Sequence, residues 1–312
     1  MTAMSVRPEA IIEVSDLFKA YGNIKAVNGV SLDVAKGEVF GMLGPNGAGK
    51  TTTVEIIEGL RTPDSGTVRV LGMDVSKDVR AIKEHLGIQP QNAALFPTLN
   101  VQEIVNFFSS LYQKSIPSSE VIEMVSLQES RKVLFKNLSG GQQQRLSVAL
   151  AFVNDPDIVF LDEPTTGLDP QARRVMWEVI KTYRRTGKTI FLTTHYMEEA
   201  ERLCDRVAIM DHGQIIVMDS PQRMIEEHIK ESAIQFKMTN YPSQEALTNL
   251  TGVTKVVKEE DEIILYTDNI PSTISELLTL ASARSSELSD LFIRQATLED
   301  VFLKLTGKRI RD

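Results

Sequence analysis

Gly44-Pro45-Asn46-Gly47-Ala48-Gly49-Lys50-Thr51-Thr52 is the stretch that decides the fold of this chain. It matches the pattern G-x-x-x-x-G-K-[ST]. It follows the apolar run Val39–Leu43, which reads as a buried strand. It opens Lys50–Leu60, which reads as a helix stopped by the turn residues Thr62-Pro63-Asp64-Ser65-Gly66. Strand, glycine-rich turn and helix in that order make a cradle for an anion. Glycines let the backbone curl until its N–H groups converge on a phosphate. The following helix directs its positive end at the same oxygens. Lys50 supplies a point charge between β- and γ-phosphates, and the Thr51 hydroxyl is a suitable ligand for Mg²⁺.

On either side of this run the apolar pattern keeps changing period. Ile11–Val14 and Ala26–Val34 read as short strands leading into Val39–Leu43, and Thr67–Leu71 as another strand. Residues 95–137 are mainly helical in pattern, with Pro97 and Ile116-Pro117 as punctuation. Helix and strand then alternate: 141–153, 157–161, 170–185, 188–193, 196–204 and 206–210. Pro170 starts the best-marked helix, whose stripe Ala172, Val175, Met176, Val179, Ile180 and Tyr183 belongs to a core. This alternation predicts an α/β fold with a mostly parallel, covered sheet.

After residue 232 the texture changes. Ile234, Phe236 and Met238 alternate with polar residues, Glu259–Glu262 reads as a solvated acidic turn, and Ile263–Tyr266 as a strand. Ser272–Ser282 and Leu298–Leu305 read as helices, the last with Thr297 as N-cap. Residues 233–312 carry 9 basic and 12 acidic side chains and form a small α+β appendage.

Two further segments carry chemistry. The strand Ile158–Leu161 ends in Asp162-Glu163, two adjacent carboxylates suited to holding hydrated Mg²⁺ (Asp162) and orienting an attacking water (Glu163). The strand Thr189–Thr193 leads to His195, placed at the carboxyl end of a parallel strand, where it can meet a γ-phosphate. His85, His212 and His228 have no such context and read as surface or structural residues. The single cysteine, Cys204, cannot form an intrachain disulfide and reads as a buried helix residue.

A formal net charge of −8 argues against a general nucleic-acid binder. Met1–Ala10 has no apolar core of signal-peptide length, and no run of about 18 apolar residues occurs. Work at a membrane therefore requires docking onto another chain that spans it.

Leu138-Ser139-Gly140-Gly141-Gln142 settles the class. Ser139 and two glycines opening a helix form a second anion-binding cap, and one phosphate is not easily enclosed by both caps within one subunit. With this string the chain resembles the ATP-binding-cassette ATPase family over residues 11–232. The resemblance implies a P-loop core with an antiparallel β subdomain and a helical subdomain near 95–150, followed by the accessory domain 233–312. It implies ATP and Mg²⁺ as ligands. Ser139, Gly140, Gly141 and Gln142 would cap ATP held by the opposite subunit, and Tyr21 would stack on adenine. Gln91, in Ile88-Gln89-Pro90-Gln91, would reach Mg²⁺ and the attacking water, with Gln89 as the competing glutamine. Asp169, in Gly167-Leu168-Asp169, would signal between two sites.

A finer likeness lies in Thr194–Glu201 and in the ending Ala296–Phe302, which look like the daunorubicin-resistance-type exporter ATPases. The expected protein is a Mg-dependent ATPase, dimeric with itself or a paralogue. It would power a separate transmembrane permease from the cytoplasmic face and export drug, lipid or glycan-like cargo. The rival expectations are a soluble cassette ATPase acting on ribosomes or DNA, and a nucleotide-sensing regulator.

Overall fold

The computed structural model describes residues 9–91, 94–229, 232–239, 242–259, 262–284, 286–294 and 296–307. The extreme N-terminus and the tip of the acidic turn, at 260–261, lie outside these described residues. Two compact units divide the chain, the first reaching Pro221 and the second beginning at Gln222. The division falls ahead of the 232/233 boundary read from the sequence. The segment just after Pro221 is tied to the chain's last helix, since Lys304 Nζ donates to the His228 carbonyl at 2.7 Å.

The first unit begins with a hairpin of two long strands, β1 (Ala10–Tyr21) and β2 (Ile24–Ala35). The apolar runs read as separate short strands are the inward-facing halves of these two. Ile12, Val14 and Leu17 alternate with exposed polar residues on β1, and Val30, Leu32 and Val34 do so on β2. Next come β3 (Val39–Leu43), buried at all five positions, and α1 (Lys50–Ile57). β4 (Ser65–Val70) and β5 (Met73–Asp74) complete an antiparallel sheet in the order β2-β1-β4-β5.

The Asp74 side chain accepts from the Ser76 N–H and so starts α2 (Val75–Lys83), which leads to β6 (Leu86–Gln89). The helical stretch is more broken than its periodicity suggests. It contains α3 (Val101–Ser109), α4 (Ser118–Met124), a 3₁₀ turn at Phe135–Asn137 and α5 (Gly140–Leu150). Asn100 and Glu103 form a capping box on α3, and Pro117 starts α4.

The remaining elements of the unit alternate as expected: β7 (Ile158–Asp162), α6 (Pro170–Arg185), β8 (Thr189–Thr194), α7 (Met197–Leu203), β9 (Arg206–Asp211) and β10 (Gln214–Asp219). They form a six-stranded sheet in the order β10-β9-β3-β8-β7-β6, parallel except for β10. Phe40, Phe160 and Phe191 stack side by side within its core, with ring centroids 5.2 and 5.5 Å apart. Burial of each contributes roughly 1.5–3 kcal/mol. Cys204 is buried but sits at the C-cap of α7 rather than inside it, with an extended backbone.

The second unit holds α8 (Pro221–His228, starting at the boundary), β11 (Ser232–Met238), α9 (Gln244–Thr248), β12 (Val253–Glu259), β13 (Glu262–Thr267), α10 (Ile270–Ala283), β14 (Leu288–Arg294) and α11 (Leu298–Thr306). Its sheet is antiparallel, in the order β12-β13-β11-β14. Ile234, Phe236, Ile263 and Leu265 bury one face of it with Leu247, Leu277 and Ala281. Thr297 caps α11, with its N–H and hydroxyl both donating to Asp300 at 2.9 Å.

Gly87 shows how closely the helical segment rests on the large sheet. A Cβ there would lie 1.7 Å from the Ala151 carbonyl oxygen at the end of α5. Gly87→Ala is therefore expected to destabilise the first unit by about 1–3 kcal/mol through forced backbone displacement. A urea titration of both forms, read by circular dichroism, checks this; an unchanged midpoint would show that α5 moves away freely.

Candidate functional site

Parallel register brings the sequence motifs to one edge. Leu43 pairs with Thr194, Asp162 with Thr193, and Gln89 with Leu161. The segments that follow, Gly44–Thr52, Pro90-Gln91, Glu163–Asp169 and His195, therefore all leave the carboxyl ends of adjacent strands. β3 lies between β8 and β9, so the loop after it opens at a switch point of the sheet, the usual crevice for a ligand.

The loop after β3 requires its glycines. Gly49 has φ +104°, and a Cβ there would lie 2.1 Å from the Ala26 carbonyl oxygen on β2. Lys50 is buried and its Nζ donates to the carbonyls of Gly44 (2.8 Å) and Pro45 (3.2 Å). Burial lowers the lysine's pKa, and the nearby carboxylates of Glu163 and Asp162 push it back up.

The two acids are held by Thr193, which sequence reasoning passed over. Its hydroxyl donates to Asp162 Oδ1 and accepts from the Glu163 N–H at 3.2 Å. Thr51 Oγ1 donates to Asp162 Oδ2 at 3.4 Å. Burial raises the Asp162 pKa against the pull of Thr193, Lys50 and Thr51. Glu163 has a left-handed backbone with φ 52°, a conformation that costs a non-glycine residue about 1–3 kcal/mol. The carbonyl and hydroxyl of Thr193 both accept from its N–H and hold it there.

Glu163 is the hub of the site. His195 Nδ1 lies 3.2 Å from its Oε1, while Gln91 Nε2 and Thr166 Oγ1 donate to its Oε2 at 3.3 Å. The His195 contact, opposed by burial, holds the Glu163 carboxyl below its ordinary pKa. Asp162 and Glu163 thus stand in adjacent but opposite electrostatic settings. The two candidate glutamines have different surroundings. Gln91 reaches Glu163, whereas Gln89 is buried in β6 and donates to the Pro90 and Asp162 carbonyls at 2.7 and 3.3 Å. Hard oxygen donors at Asp162 and Thr51, beside a basic loop, fit Mg²⁺.

The other predicted residues stand apart. Tyr21 ends β1, exposed, with the Arg61 guanidinium 5.4 Å from its ring centroid. Ser139 caps α5 in a reciprocal box with Gln142, at 2.9 and 3.3 Å, and Ser139 and Gly140 are exposed. Among the described residues no hydrogen bond joins 139–142 to the Gly44–Thr52 loop. Asp169 caps α6, accepting from the Gln171 and Ala172 N–H groups at 2.9 Å. Two more contributors were missed. Thr166 has only its place three residues past Glu163 as a signal. Gln144, whose Nε2 donates to the Pro164 carbonyl at 3.1 Å, is one of three successive glutamines with nothing to distinguish it in sequence.

Residues 27–166 match the ABC transporter family. Over 311 residues the chain is 38% identical to the Nod factor export ATP-binding protein I of Paraburkholderia xenovorans (strain LB400), covering 98% of this chain and 100% of that protein. It is 36% identical to the linearmycin resistance ATP-binding protein LnrL of Bacillus subtilis (strain 168), covering 97% of this chain and 100% of the relative. Among solved structures, a dimeric ATP-binding cassette in a post-hydrolysis state with ADP and Pi superposes with a TM-score of 0.62. That cassette is 26% identical and covers 67% of this chain and 98% of its own.

Glu58, at the end of α1, is a further buried acid near Asp162. Burial, aided by Asp162 and Glu55, pushes its pKa from 4.5 up to about 8. The folded state therefore holds this proton where the unfolded chain has lost it, and stability falls as pH rises from 4.5 to about 8. Glu58→Gln is expected to remove that fall, so its stabilising effect is larger near pH 8 than near pH 5.5, by roughly 2–3 kcal/mol. Denaturant unfolding at both pH values checks it; equal effects at the two would contradict a buried, neutral carboxyl.

Proposed function

The chain belongs to the ATP-binding-cassette transporter family, and on that premise we propose how its residues act on ATP. It is an ATP-hydrolysing subunit of the exporter type, a class whose members dimerise and work with a separate membrane permease. The triphosphate of the substrate lies in the Gly44-Pro45-Asn46-Gly47-Ala48-Gly49-Lys50-Thr51-Thr52 loop, with its oxygens at the loop N–H groups and the start of α1. Lys50 exchanges the Gly44 and Pro45 carbonyls for β- and γ-phosphate oxygens. Asp162, Thr51 and Gln91 would hold Mg²⁺, which would offset the negative charge that builds on the transferred phosphoryl group. Tyr21 presents its ring to adenine.

Glu163 orients the water that attacks the γ-phosphorus, and His195 steadies both Glu163 and the γ-phosphate. The supporting observation is Glu163 itself, gripped by His195, Gln91 and Thr166 beside the Asp162–Thr51 pair. Ser139, Gly140, Gly141 and Gln142 act on ATP held by the other subunit; among the described residues no hydrogen bond joins them to the phosphate loop of their own chain. Asp169 lies on the loop that carries the signal between the two sites.

The permease partner docks near Gln91 and the helical segment. There a groove is lined by Gln91, Leu95, Phe135, Gln143 and Gln144, and Phe96, Phe107 and Leu111 are exposed. Among the described residues no helix is long and apolar enough to cross a membrane. In this reading the chain works as a peripheral subunit at the cytoplasmic face, and its cargo is of a drug, lipid or glycan-like class, in keeping with relatives named for Nod factor export and linearmycin resistance. Residues 222–309 form an accessory unit.

Lys50→Ala is expected to abolish ATP binding. Glu163→Gln is expected to keep ATP binding while lowering the hydrolysis rate by about 10²-fold or more and retaining a dimer with ATP. Phosphate release, equilibrium dialysis and size-exclusion chromatography with ATP measure the three properties. Hydrolysis by Glu163→Gln at the parental rate would overturn the role given to that carboxylate.

A pH profile tests His195. Because His195 holds the Glu163 pKa down, His195→Ala is expected to let it rise, so the acid limb of the residual ATPase activity moves to higher pH. An acid limb that stays in place while the rate falls would assign His195 to the phosphate alone.

A further inference from the structure

We propose that Tyr196 and Arg173 are positioning residues for His195. The Arg173 guanidinium holds the Tyr196 ring, and that ring sets the plane in which the imidazole meets Glu163 and the γ-phosphate. The inference rests on the role given to His195 under the proposed function and adds two residues to that site.

His195 follows Thr194, the last residue of β8, and α7 begins two residues later at Met197. The short connection carries two rings side by side. The His195 and Tyr196 centroids lie 4.3 Å apart, with the ring planes inclined by 39°. The guanidinium carbon of Arg173 lies over the Tyr196 ring, 4.5 Å from its centroid. The imidazole thus has two neighbours of different kinds: the Glu163 carboxylate, 3.2 Å from Nδ1, and the Tyr196 ring. The carboxylate fixes one nitrogen. The ring limits rotation about that contact, and with it the direction in which Nε2 points.

Neither residue is explained by what surrounds it otherwise. Tyr196 is the N-cap of α7 and makes no side-chain capping hydrogen bond. Asn, Asp and Ser are favoured at such a position, because their side chains accept from the first free N–H groups of the helix. The Tyr196 N–H donates to the Thr194 hydroxyl at 3.0 Å, while its own hydroxyl makes no hydrogen bond among the described residues. The ring is what this side chain contributes. Arg173 is half-buried, its Nε has no hydrogen-bond partner, and among the described residues its guanidinium forms no ion pair. A ring face is its one favourable contact of charge. Arg173 lies in the first turn of α6, where its N–H donates to the Asp169 carbonyl at 2.9 Å. One turn along, Trp177 Nε1 donates at 3.1 Å to the buried Glu199, three residues past Tyr196. Two successive turns of α6 therefore hold the start of α7, and His195 takes its orientation from the helix that Asp169 caps.

The experiment removes the ring while improving the cap, which separates positioning from folding. In the full chain Tyr196→Asn supplies a favoured capping side chain, so the start of α7 should be kept. Trp177 is the chain's one tryptophan, and its fluorescence reports the packing of α6 on α7. With that spectrum unchanged, Tyr196→Asn should lower kcat for ATP hydrolysis roughly tenfold and leave KM within about twofold. Tyr196→Phe should restore most of the rate. Arg173→Gln should lower kcat roughly threefold or more, and Arg173→Lys, which keeps the cation, should recover part of it. In a His195→Ala background, Tyr196→Asn should cost less than about a further twofold, because the ring acts through the imidazole. If Tyr196→Asn alters the Trp177 spectrum, the two Arg173 variants decide, and parental kcat in Arg173→Gln overturns the proposal. Parental kcat in a well-folded Tyr196→Asn, a Tyr196→Phe equally slow, or fully multiplicative losses in the double variant would each overturn it too, with the role of His195 intact. Parental turnover by His195→Ala would instead sink that role and the proposal together, so the two failures are told apart.

Discussion

The registered parallel pairing of β6, β7, β8 and β3 is the constraint on which the candidate site depends. A phosphate cradle, a carboxylate pair, a histidine and a glutamine are separated by up to about 150 residues of chain. They become neighbours only because Leu43, Thr194, Asp162 and Gln89 close their strands in one row. A slip of one strand by one residue would turn its side chains to the opposite face, burying charge in the core and removing a motif from the crevice. The fully buried strands β3 and β7, packed through the Phe40, Phe160 and Phe191 rings, make such a slip costly. Core packing and site assembly are thus one problem with one solution.

Around that edge, charge is managed by short polar contacts rather than by exposure. Asp162 and Glu163 are adjacent and both buried, a pairing that repels unless each acid has its own donors. Thr193 answers this by binding the Asp162 carboxyl and the Glu163 backbone with a single hydroxyl. Lys50 donates to the loop carbonyls and feels the charge of both acids, which opposes the lowering of its pKa by burial. Ser139 is capped by Gln142 at the start of α5, and among the described residues no hydrogen bond joins residues 139–142 to the Gly44–Thr52 loop.

The two units follow different rules of construction. The first covers a parallel sheet with helices and uses its strand ends for chemistry. The second builds an antiparallel sheet packed on one face by α9 and α10 and keeps an apolar edge in the open. Its strand order places β12 and β14 at the two edges.

The sequence by itself determined the class of the first unit and where its motifs lie along the chain, because those signals are local. A glycine loop ending in Lys-Thr works only between a strand and a helix, and Asp162-Glu163 and His195 each follow an apolar run short enough to be a strand. Periodicity placed α6 residue for residue, since its apolar stripe and Pro170 are both encoded within one helix. Only the tertiary structure decided what depends on distant partners. It joined the apolar runs of residues 11–34 into two twelve-residue strands by pairing them. It brought Gln91 rather than Gln89 to the Glu163 carboxyl, and added Thr193, Thr166 and Gln144 through contacts that no local pattern announces. It also left Phe292 outside, because exposure is a property of what packs against a strand and not of the strand's own residues.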